Sequence, residues 1–233
     1  MVEKLIGVTA CVFDAYGTIF DVHSAVRRNR DRVGPEAEVI SATWRAKQLE
    51  YSWLRSLMGN YVDLWQVTQD ALDYAMAKAS VIDVELREEL LNAYMSLDAY
   101  PEVADVLEAL REAGIRTAIL SNGSPLMLEA AVQSAGLSQL LDDVLSVDEV
   151  QTYKPHPDVY QLIVDRLGVD PDAVCFHSSN CWDAAAAARF GFRAAWINRF
   201  ANEVERLPDV PDVELSSLIG LPAMVLTSTD APT

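Results

Sequence analysis

An aspartate followed by a glycine turn stands near the start of the chain, in the segment "FDAYGT". The segment ends an apolar run, so Asp14 is predicted at the end of a buried strand, with Thr18 within reach of its carboxylate. Gly17 would allow the tight turn between them. Such an aspartate is either a solvated loop residue or a positioned nucleophile. Alone the pattern is weak evidence, because Asp and Gly cluster in ordinary turns.

Two further polar clusters each follow an apolar stretch. Ser121 and Asn122 begin the turn "SNGS", where side-chain donors and turn amides could bind an anion. Lys154 stands before Pro155 in "YKPHPDVY". A proline restricts the residue before it to extended backbone, which fixes the direction of the lysine. Helix capping and idle surface charge are the competing explanations for such residues.

The last polar cluster is "HSSNCWDAAAAARFG". It places Ser178 and Asn180 directly after an apolar strand and Asp183 at the start of an alanine-rich helix, whose dipole stabilises an acid there. Helix capping again competes with a chemical role. His177 stands where an apolar residue would be ordinary, and we interpret it as a buried histidine with satisfied hydrogen bonds. A second water-activating base and a determinant of substrate size are the alternatives for His177.

The strands that must hold these clusters alternate with helical patterns in the second half of the chain. The predicted strands lie in "VTACVFD", "IRTAILSNGS", "DDVLSVDEV", "DAVCFHSSN" and "RAAWINR". Repeated β-α-β units with short links predict an α/β fold with a Rossmann-like parallel sheet and helices on both faces. Such folds bind ligands outside the carboxyl ends of the strands, which is where the four clusters fall.

A block of three or four helical stretches, residues 21–99, separates the first strand from the rest of the predicted sheet. It contains no good strand pattern. We predict that this block, called here the helical insert, is a cap domain that covers the strand ends. The predicted core domain then consists of residues 1–20 and 100–233.

The composition restricts the classes of partner. The chain has 233 residues and 18 Lys+Arg against 35 Asp+Glu, a formal net charge of −17. This balance argues against nucleic acid as a partner, since binding to nucleic acid rests largely on neutralised phosphates. No apolar run is long enough to span a bilayer and no secretory signal is evident, so no membrane partner and a cytoplasmic location are predicted. Three cysteines without CxxC spacing fit a reducing compartment.

Taken together, the order D-x-x-G-T, S-N, K-P and S-x-N-x-x-D along an α/β chain resembles the haloacid dehalogenase superfamily of aspartate-nucleophile enzymes. Within it the chain looks like the L-2-haloacid dehalogenases, and the resemblance covers nearly the whole chain. The segments "WRAKQLEYSWLRSLM", around Arg45, and "SSNCWDA" carry much of it. The resemblance implies a homodimer, no cofactor, a small halogenated carboxylate as substrate and halide as a product.

The resemblance also implies a role for each matching residue. Asp14 would displace halide from C2 of an (S)-2-haloacid, and water would then hydrolyse the resulting ester to an (R)-2-hydroxy acid. The implied catalytic residues are Asp14, Thr18, Arg45, Lys154, Ser178, Asn180 and Asp183. The implied substrate-binding residues are Ala15, Tyr16, Arg45, Leu49, Ser121, Asn122, Tyr160 and Trp182.

Within this scheme, Arg45 and Asn122 would receive the departing halide. Asp183, steadied by Ser178 and Asn180, would prepare the hydrolytic water.

Two other functions compete with dehalogenation. A phosphatase of this fold needs Mg²⁺ and therefore a second acid two residues after the nucleophile. Tyr16 occupies that position, and the last loop holds one carboxylate, Asp183, so we predict a site without metal. A non-catalytic module that binds a small anion is the third possibility, although helix capping has no use for Arg45 and Lys154.

Overall fold

A computed structural model describes residues 5–225 of the chain, and within that range it contains six strands and ten α-helices. The strands are β1 Ala10–Phe13, β2 Arg116–Ser121, β3 Asp143–Ser146, β4 Val174–Ser178, β5 Arg193–Ile197 and β6 Val213–Leu215. The helices are α1 Ser24–Arg28, α2 Arg30–Val33, α3 Ala37–Leu57, α4 Leu64–Lys78, α5 Val84–Tyr94, α6 Val103–Glu112, α7 Pro125–Ser134, α8 Pro157–Leu167, α9 Cys181–Phe190 and α10 Leu221–Val225.

The strands form one parallel sheet in the order β3-β2-β1-β4-β5-β6. All four residues of β1 are buried, as expected for a strand covered by helices on both faces. The predicted α/β fold with a parallel sheet is thereby confirmed. The chain runs from β1 outward through β2 to β3 and then crosses back to β4 on the other side of β1. The carboxyl end of β1 therefore lies at the topological switch point, where ligands of such sheets bind.

The sequence pattern predicted five of the six strands and missed β6. This three-residue strand is only partly buried, and it pairs with β5 at the edge of the sheet. A strand of that length gives no alternation long enough to recognise. The predicted helices of the second half are confirmed, and α8 ends at Gly168 in the left-handed conformation.

The helical insert contributes α1 to α5 between β1 and β2. The helices α3 and α4 are antiparallel neighbours along most of their length, and Asp63 caps α4 by accepting a hydrogen bond from the Gln66 N–H at 2.9 Å. Trp44 of α3 is buried and donates its indole N–H to the Thr68 carbonyl at 2.8 Å. The short helices α1 and α2 were not separated in the sequence pattern. Within residues 5–225, none of the helices has the length and apolar character to cross a bilayer.

Two connections lead into and out of the helical insert, and they pair with each other. The Tyr100 N–H donates to the Ile19 carbonyl at 2.9 Å, and the Asp21 N–H donates to the Asp98 carbonyl at 2.8 Å. Arg199, after β5, covers this pair with a hydrogen bond to the Thr18 carbonyl at 2.9 Å. The division of the chain into core and cap domains remains a prediction.

The helical insert also contacts the sheet side of the molecule at a second place, beyond β3. The Tyr153 hydroxyl donates to the Val62 carbonyl at 2.7 Å, and the Tyr153 N–H donates to the Ser56 hydroxyl at 2.9 Å. Tyr61 adds a hydrogen bond to the Asp148 carboxylate. The ends of β1, β2 and β4 are enclosed between this contact and the paired connections.

Candidate active site

Asp14 follows β1 directly and is almost fully buried, with 6% of its surface exposed. Three donors converge on its carboxylate from different parts of the chain. Lys154 Nζ lies 3.1 Å from Oδ1, while Asn180 Nδ2 and Thr18 Oγ1 lie 3.2 and 3.3 Å from Oδ2. A buried carboxylate needs such compensation, because burial without partners would neutralise it. The carboxylate is therefore held in a fixed place at the switch point.

A tight turn after Asp14 brings Thr18 back to the carboxylate, as the sequence predicted. Gly17 has φ of +101°, and a Cβ on it would stand 2.7 Å from the Ser179 hydroxyl oxygen. Any other residue there would be strained and would collide with the loop after β4. The same loop anchors the turn, since the Ser179 N–H donates to Thr18 Oγ1 at 2.8 Å.

Lys154 is 1% exposed, and its ammonium lies between two carboxylates. Besides Asp14 it contacts Asp183 Oδ2 at 2.9 Å, and it lies 4.8 Å from the centre of the Phe176 ring. Burial opposes the charge, but Asp14 and Asp183 outweigh it and raise the pKa of Lys154. The lysine is therefore charged, and it joins the two acids into one network.

Asp183 lies in the first turn of α9 and is fully buried. The Tyr160 hydroxyl donates to its Oδ1 at 2.7 Å, opposite the lysine contact. Burial raises the pKa of Asp183, with the Asp14 charge adding to the rise and Lys154 opposing it. A raised pKa makes this carboxylate a stronger base than an ordinary aspartate.

The arrangement around Asp183 corrects one sequence-based expectation. Ser178 and Asn180 do not hold the Asp183 carboxylate. The Asn180 side chain turns to Asp14, and the Ser178 hydroxyl accepts the Asn180 N–H at 3.2 Å. The reason is geometric, since Ser178 ends β4 and Asn180 lies in the loop between β4 and the helix that carries Asp183. Tyr160 and Lys154 instead make the hydrogen bonds to the Asp183 carboxylate.

Arg45 reaches the site from α3, in the helical insert. Its guanidinium donates to the Tyr16 carbonyl at 3.0 Å and to Gln48 Oε1 at 2.8 Å. Gln48 is held in turn by Thr68, whose hydroxyl oxygen accepts from Gln48 Nε2 at 2.7 Å. The Tyr94 hydroxyl also donates to Gln48 Oε1, at 3.1 Å. Arg45 is thus aimed by side chains of the insert and touches the loop that follows Asp14.

Asn122 and Ser121 end β2 and face the same space. The Asn122 side-chain oxygen accepts the Lys154 N–H at 3.0 Å, which leaves its NH₂ group as a donor. The Ser121 oxygen accepts the Gly123 N–H at 3.0 Å, so its hydroxyl hydrogen remains a donor. A Cβ on Gly123 would lie 2.8 Å from the Tyr16 ring, so glycine allows the ring to pack there.

Side chains of this region line a small cavity of about 10 Å³. It is lined by Asp14, Tyr16, Arg45, Gln48, Leu49, Ser52, Leu64, Ser121, Asn122, Lys154, Asn180 and Trp182. Nine of these residues were named from the sequence, whereas Thr18, Ser178 and Asp183 do not line the cavity, and the roles of all of them stay predictions. Arg45 and Lys154 give the lining a positive character, although the whole protein is acidic.

Three lining residues, Gln48, Ser52 and Leu64, were missed. Gln48 and Ser52 lie three and seven positions after Arg45 in one helix, so they share its face. This spacing could have identified both residues from the sequence. Leu64 begins the next helix, and its approach to the site depends on the antiparallel packing of α3 and α4, which no local pattern reveals.

Two residues expected to bind substrate do not line the cavity. Tyr160 is buried behind Asp183, so its contact is with that acid. Ala15 is fully buried, so its side chain does not reach the cavity. Tyr16 does line the cavity, and its hydroxyl is buried without a hydrogen-bond partner among residues 5–225. An unpaired buried hydroxyl is costly and is available to a ligand.

His177 is fully buried in β4, as its interpretation as a structural histidine requires. Its ring stacks on Phe13, with 4.6 Å between ring centres. Nδ1 lies 3.1 Å from the Val12 carbonyl oxygen and therefore donates, which leaves Nε2 to accept from the Cys175 thiol at 3.2 Å. Burial lowers the pKa of His177 from 6.5 to about 4, with the Val12 contact opposing the change. The ring is neutral in the folded protein.

The depressed pKa makes a prediction about stability. Because the unfolded chain binds the proton more readily, stability is complete above pH 6.5 and falls as the pH drops to about 4. The contribution lost over this window is about 3 kcal/mol. Chemical denaturation of the wild type and of His177→Phe at several pH values measures it. The variant, which keeps a stacking ring, should lose less stability over the window. Parallel pH profiles would contradict the prediction.

Fold and site together define an α/β protein in which a buried aspartate follows the first strand of a parallel sheet and is held by lysine, asparagine and threonine donors. Comparison with known proteins shows to which family it belongs. The model of the haloacid dehalogenase-like hydrolases matches residues 8–191. The chain belongs to that family and, within it, to the L-2-haloacid dehalogenases.

Individual relatives match over most of their length. The chain is 52% identical over 206 residues to (S)-2-haloacid dehalogenase 4A of Burkholderia cepacia, covering 88% of each chain. It is 47% identical to (S)-2-haloacid dehalogenase 1 of Pseudomonas sp. (strain CBS-3), covering 95% of this chain and 98% of the relative. Among solved structures, the L-2-haloacid dehalogenase of Xanthobacter autotrophicus with chloropropionic acid covalently bound superposes with a TM-score of 0.87. It is 38% identical, with 96% of this chain and all of that chain covered.

Proposed function

We propose that the protein hydrolyses short (S)-2-haloacids to (R)-2-hydroxy acids and halide, through an ester on Asp14 and without a metal ion. The observation that carries the proposal is the buried network in which Lys154 joins Asp14 to Asp183 while Asp14 still lines the cavity. The names of the relatives support the substrate class.

In the first step, an Asp14 oxygen attacks C2 of the substrate on the side opposite the halogen, so the carbon–halogen bond breaks with inversion. The halide gathers negative charge as it leaves. Arg45 and the free NH₂ of Asn122 are the donors that receive it, and the Tyr16 hydroxyl adds a third. The substrate carboxylate takes the Ser121 hydroxyl and the backbone N–H groups that follow Asp14.

In the second step, water attacks the carbonyl carbon of the ester. Asp183, which Lys154 joins to Asp14, accepts the proton of that water. The bond between the Asp14 carbonyl carbon and the alkyl oxygen then breaks, and the alkyl oxygen takes the proton from Asp183 to become the hydroxyl of the product. Asp14 is regenerated with one oxygen from water. Leu49, Leu64 and Trp182 supply the apolar wall of the cavity.

The donor set argues for chemistry without a divalent ion. A Mg²⁺ cage needs several oxygen ligands, but the place between the two carboxylates is taken by the Lys154 ammonium. Tyr16 stands where the phosphatases of this fold need an acid. Among residues 5–225, His, Cys, Asp and Glu do not gather in groups of three that could hold a metal. An ammonium in that place repels a second cation.

We also propose the larger organisation implied by the resemblance. The helical insert acts as a cap domain over a core of residues 1–20 and 100–233. Met58, exposed by 67% just after α3, favours a homodimer formed through the cap, whereas Trp44 is buried inside the cap. The three cysteines are unpaired and buried, which fits the reducing cytoplasm.

The proposed function predicts halide release from L-2-chloropropionate in excess EDTA at the same rate as without it. The reason is that Lys154 already supplies the positive charge between the carboxylates. Halide and 2-hydroxy acid are measured together, with the D enantiomer as the control substrate. Loss of turnover on chelation, restored by Mg²⁺, would contradict the metal-free reaction. Binding of the acid without halide release would instead indicate a non-catalytic module.

A further inference from the structure

The cavity around Asp14 is smaller than the substrate it must receive. At about 10 Å³ it has room for about one water molecule. A 2-haloacid is several times larger than a water molecule. Side chains that line the cavity must therefore move to admit the substrate, and one part of the lining adjoins a larger space.

That space is an apolar groove of about 710 Å³ between the helical insert and the sheet side of the molecule, called here the seam groove. Trp53 and Leu57 of α3 form one side, and Leu207 lies on the other. Lys154 and Trp182 line both the seam groove and the cavity. The two spaces therefore adjoin each other at these two residues.

Trp182 lies where the cavity and the seam groove adjoin, and Trp53 packs against it from the groove. Their rings meet edge to face, with 5.3 Å between centres and an angle of 88°. Trp53 comes from the helical insert and Trp182 from the start of α9, so the contact crosses between the two parts of the molecule. The Trp53 indole N–H is buried without a partner among residues 5–225. Since no side-chain hydrogen bond ties the Trp53 ring, only packing holds it in place.

We propose that the substrate enters through the seam groove and that Trp53 is the gate that limits the size of the 2-haloacid admitted. The inference rests on the proposed function and adds a specificity-determining residue to it. Trp53 does not line the cavity, so its effect concerns access and differs from the contacts of Trp182 with bound substrate.

The first test compares Trp53→Ala with Trp65→Ala across L-2-chloro acids of increasing chain length. Trp65 is a half-buried tryptophan of the same helical insert that does not line the groove, so its variant controls for loss of a large side chain. The ratio of kcat/KM for the longest acid to that for chloropropionate should rise about tenfold in Trp53→Ala and stay constant in Trp65→Ala. An unchanged ratio in Trp53→Ala would overturn the gate.

A second test does not depend on a tryptophan variant that folds. The cysteines of the chain are buried, so Leu207→Cys, with Leu207 39% exposed in the seam groove, places one accessible thiol there. Val210→Cys, at a 63% exposed position outside the groove, is the matched control. A bulky disulfide-forming label should lower kcat/KM about tenfold in Leu207→Cys alone, and a reductant should restore it.

Equal activity of the labelled and unlabelled Leu207→Cys enzymes would overturn the route through the groove. Both tests use the wild type on chloropropionate as reference. If the wild type releases no halide, the proposed function fails. If the wild type is active but neither Trp53→Ala nor the labelling of Leu207→Cys has its expected effect on kcat/KM, only the proposed gate fails.

Discussion

Asp14→Asn is expected to lower halide release by about 10⁴-fold or more, because the amide cannot act as the carboxylate nucleophile. The two side chains have nearly the same shape, so the loss would come from chemistry and not from the volume of the site. Steady-state halide release from L-2-chloropropionate measures the effect.

Asp21→Asn is the matched control for Asp14→Asn. Asp21 lies seven positions later, in the connection to the helical insert, where its carboxylate accepts the His23 N–H at 2.9 Å. This variant should keep most of its activity. Thermal unfolding of both variants should remain cooperative. An Asp14→Asn enzyme that folds and still turns over at a tenth of the wild-type rate would remove Asp14 from the role of nucleophile.

Asp183→Asn is expected to separate the two steps. The first displacement does not use Asp183 as a base, so each active site should release one halide. The ester should then hydrolyse about 10² to 10⁴ times more slowly, because the base that accepts the proton of water is gone. Rapid-quench halide measurement detects the burst, and mass spectrometry of the intact protein detects the ester.

Tyr160→Phe serves as the comparison for Asp183→Asn. It removes the 2.7 Å hydrogen bond to Asp183 Oδ1 but leaves the carboxylate and its contact with Lys154. A smaller reduction of the second step, without accumulation of a full equivalent of ester, is expected. If Asp183→Asn showed no first halide either, or turned over normally, Asp183 would not be the base of the second step.

Most residues of the site could be predicted from the sequence, because polar residues that directly follow apolar strands are recognisable and mark the ligand-binding edge of a parallel sheet. Asp14, Ser121, Lys154 and Asn180 each follow a strand or its connecting turn, and the fold brings these ends to one edge. Arg45 was found from the resemblance alone, since its position in a helix says nothing about which strand ends it would approach.

What could not be predicted depends on contacts between distant parts of the chain. Asn180 was expected to support Asp183 but donates to Asp14. No local sequence pattern shows how the loop after β4 is oriented relative to β1. The closed cavity was likewise unforeseen. Its size depends on the packing of Leu64 and Trp182, which come from different parts of the fold. Spacing along one helix would have revealed Gln48.

The most direct measurement of the central claim is a single turnover in water enriched in oxygen-18, with enzyme in excess over L-2-chloropropionate. If the Asp14 carbonyl carbon is attacked by water, the label must appear in the carboxylate of Asp14 and be absent from the first molecule of product. Mass spectrometry of the peptide that contains Asp14, and of the released hydroxy acid, measures both. Label in the first product with none in Asp14 would mean direct attack of water on the substrate, and the covalent route would be wrong.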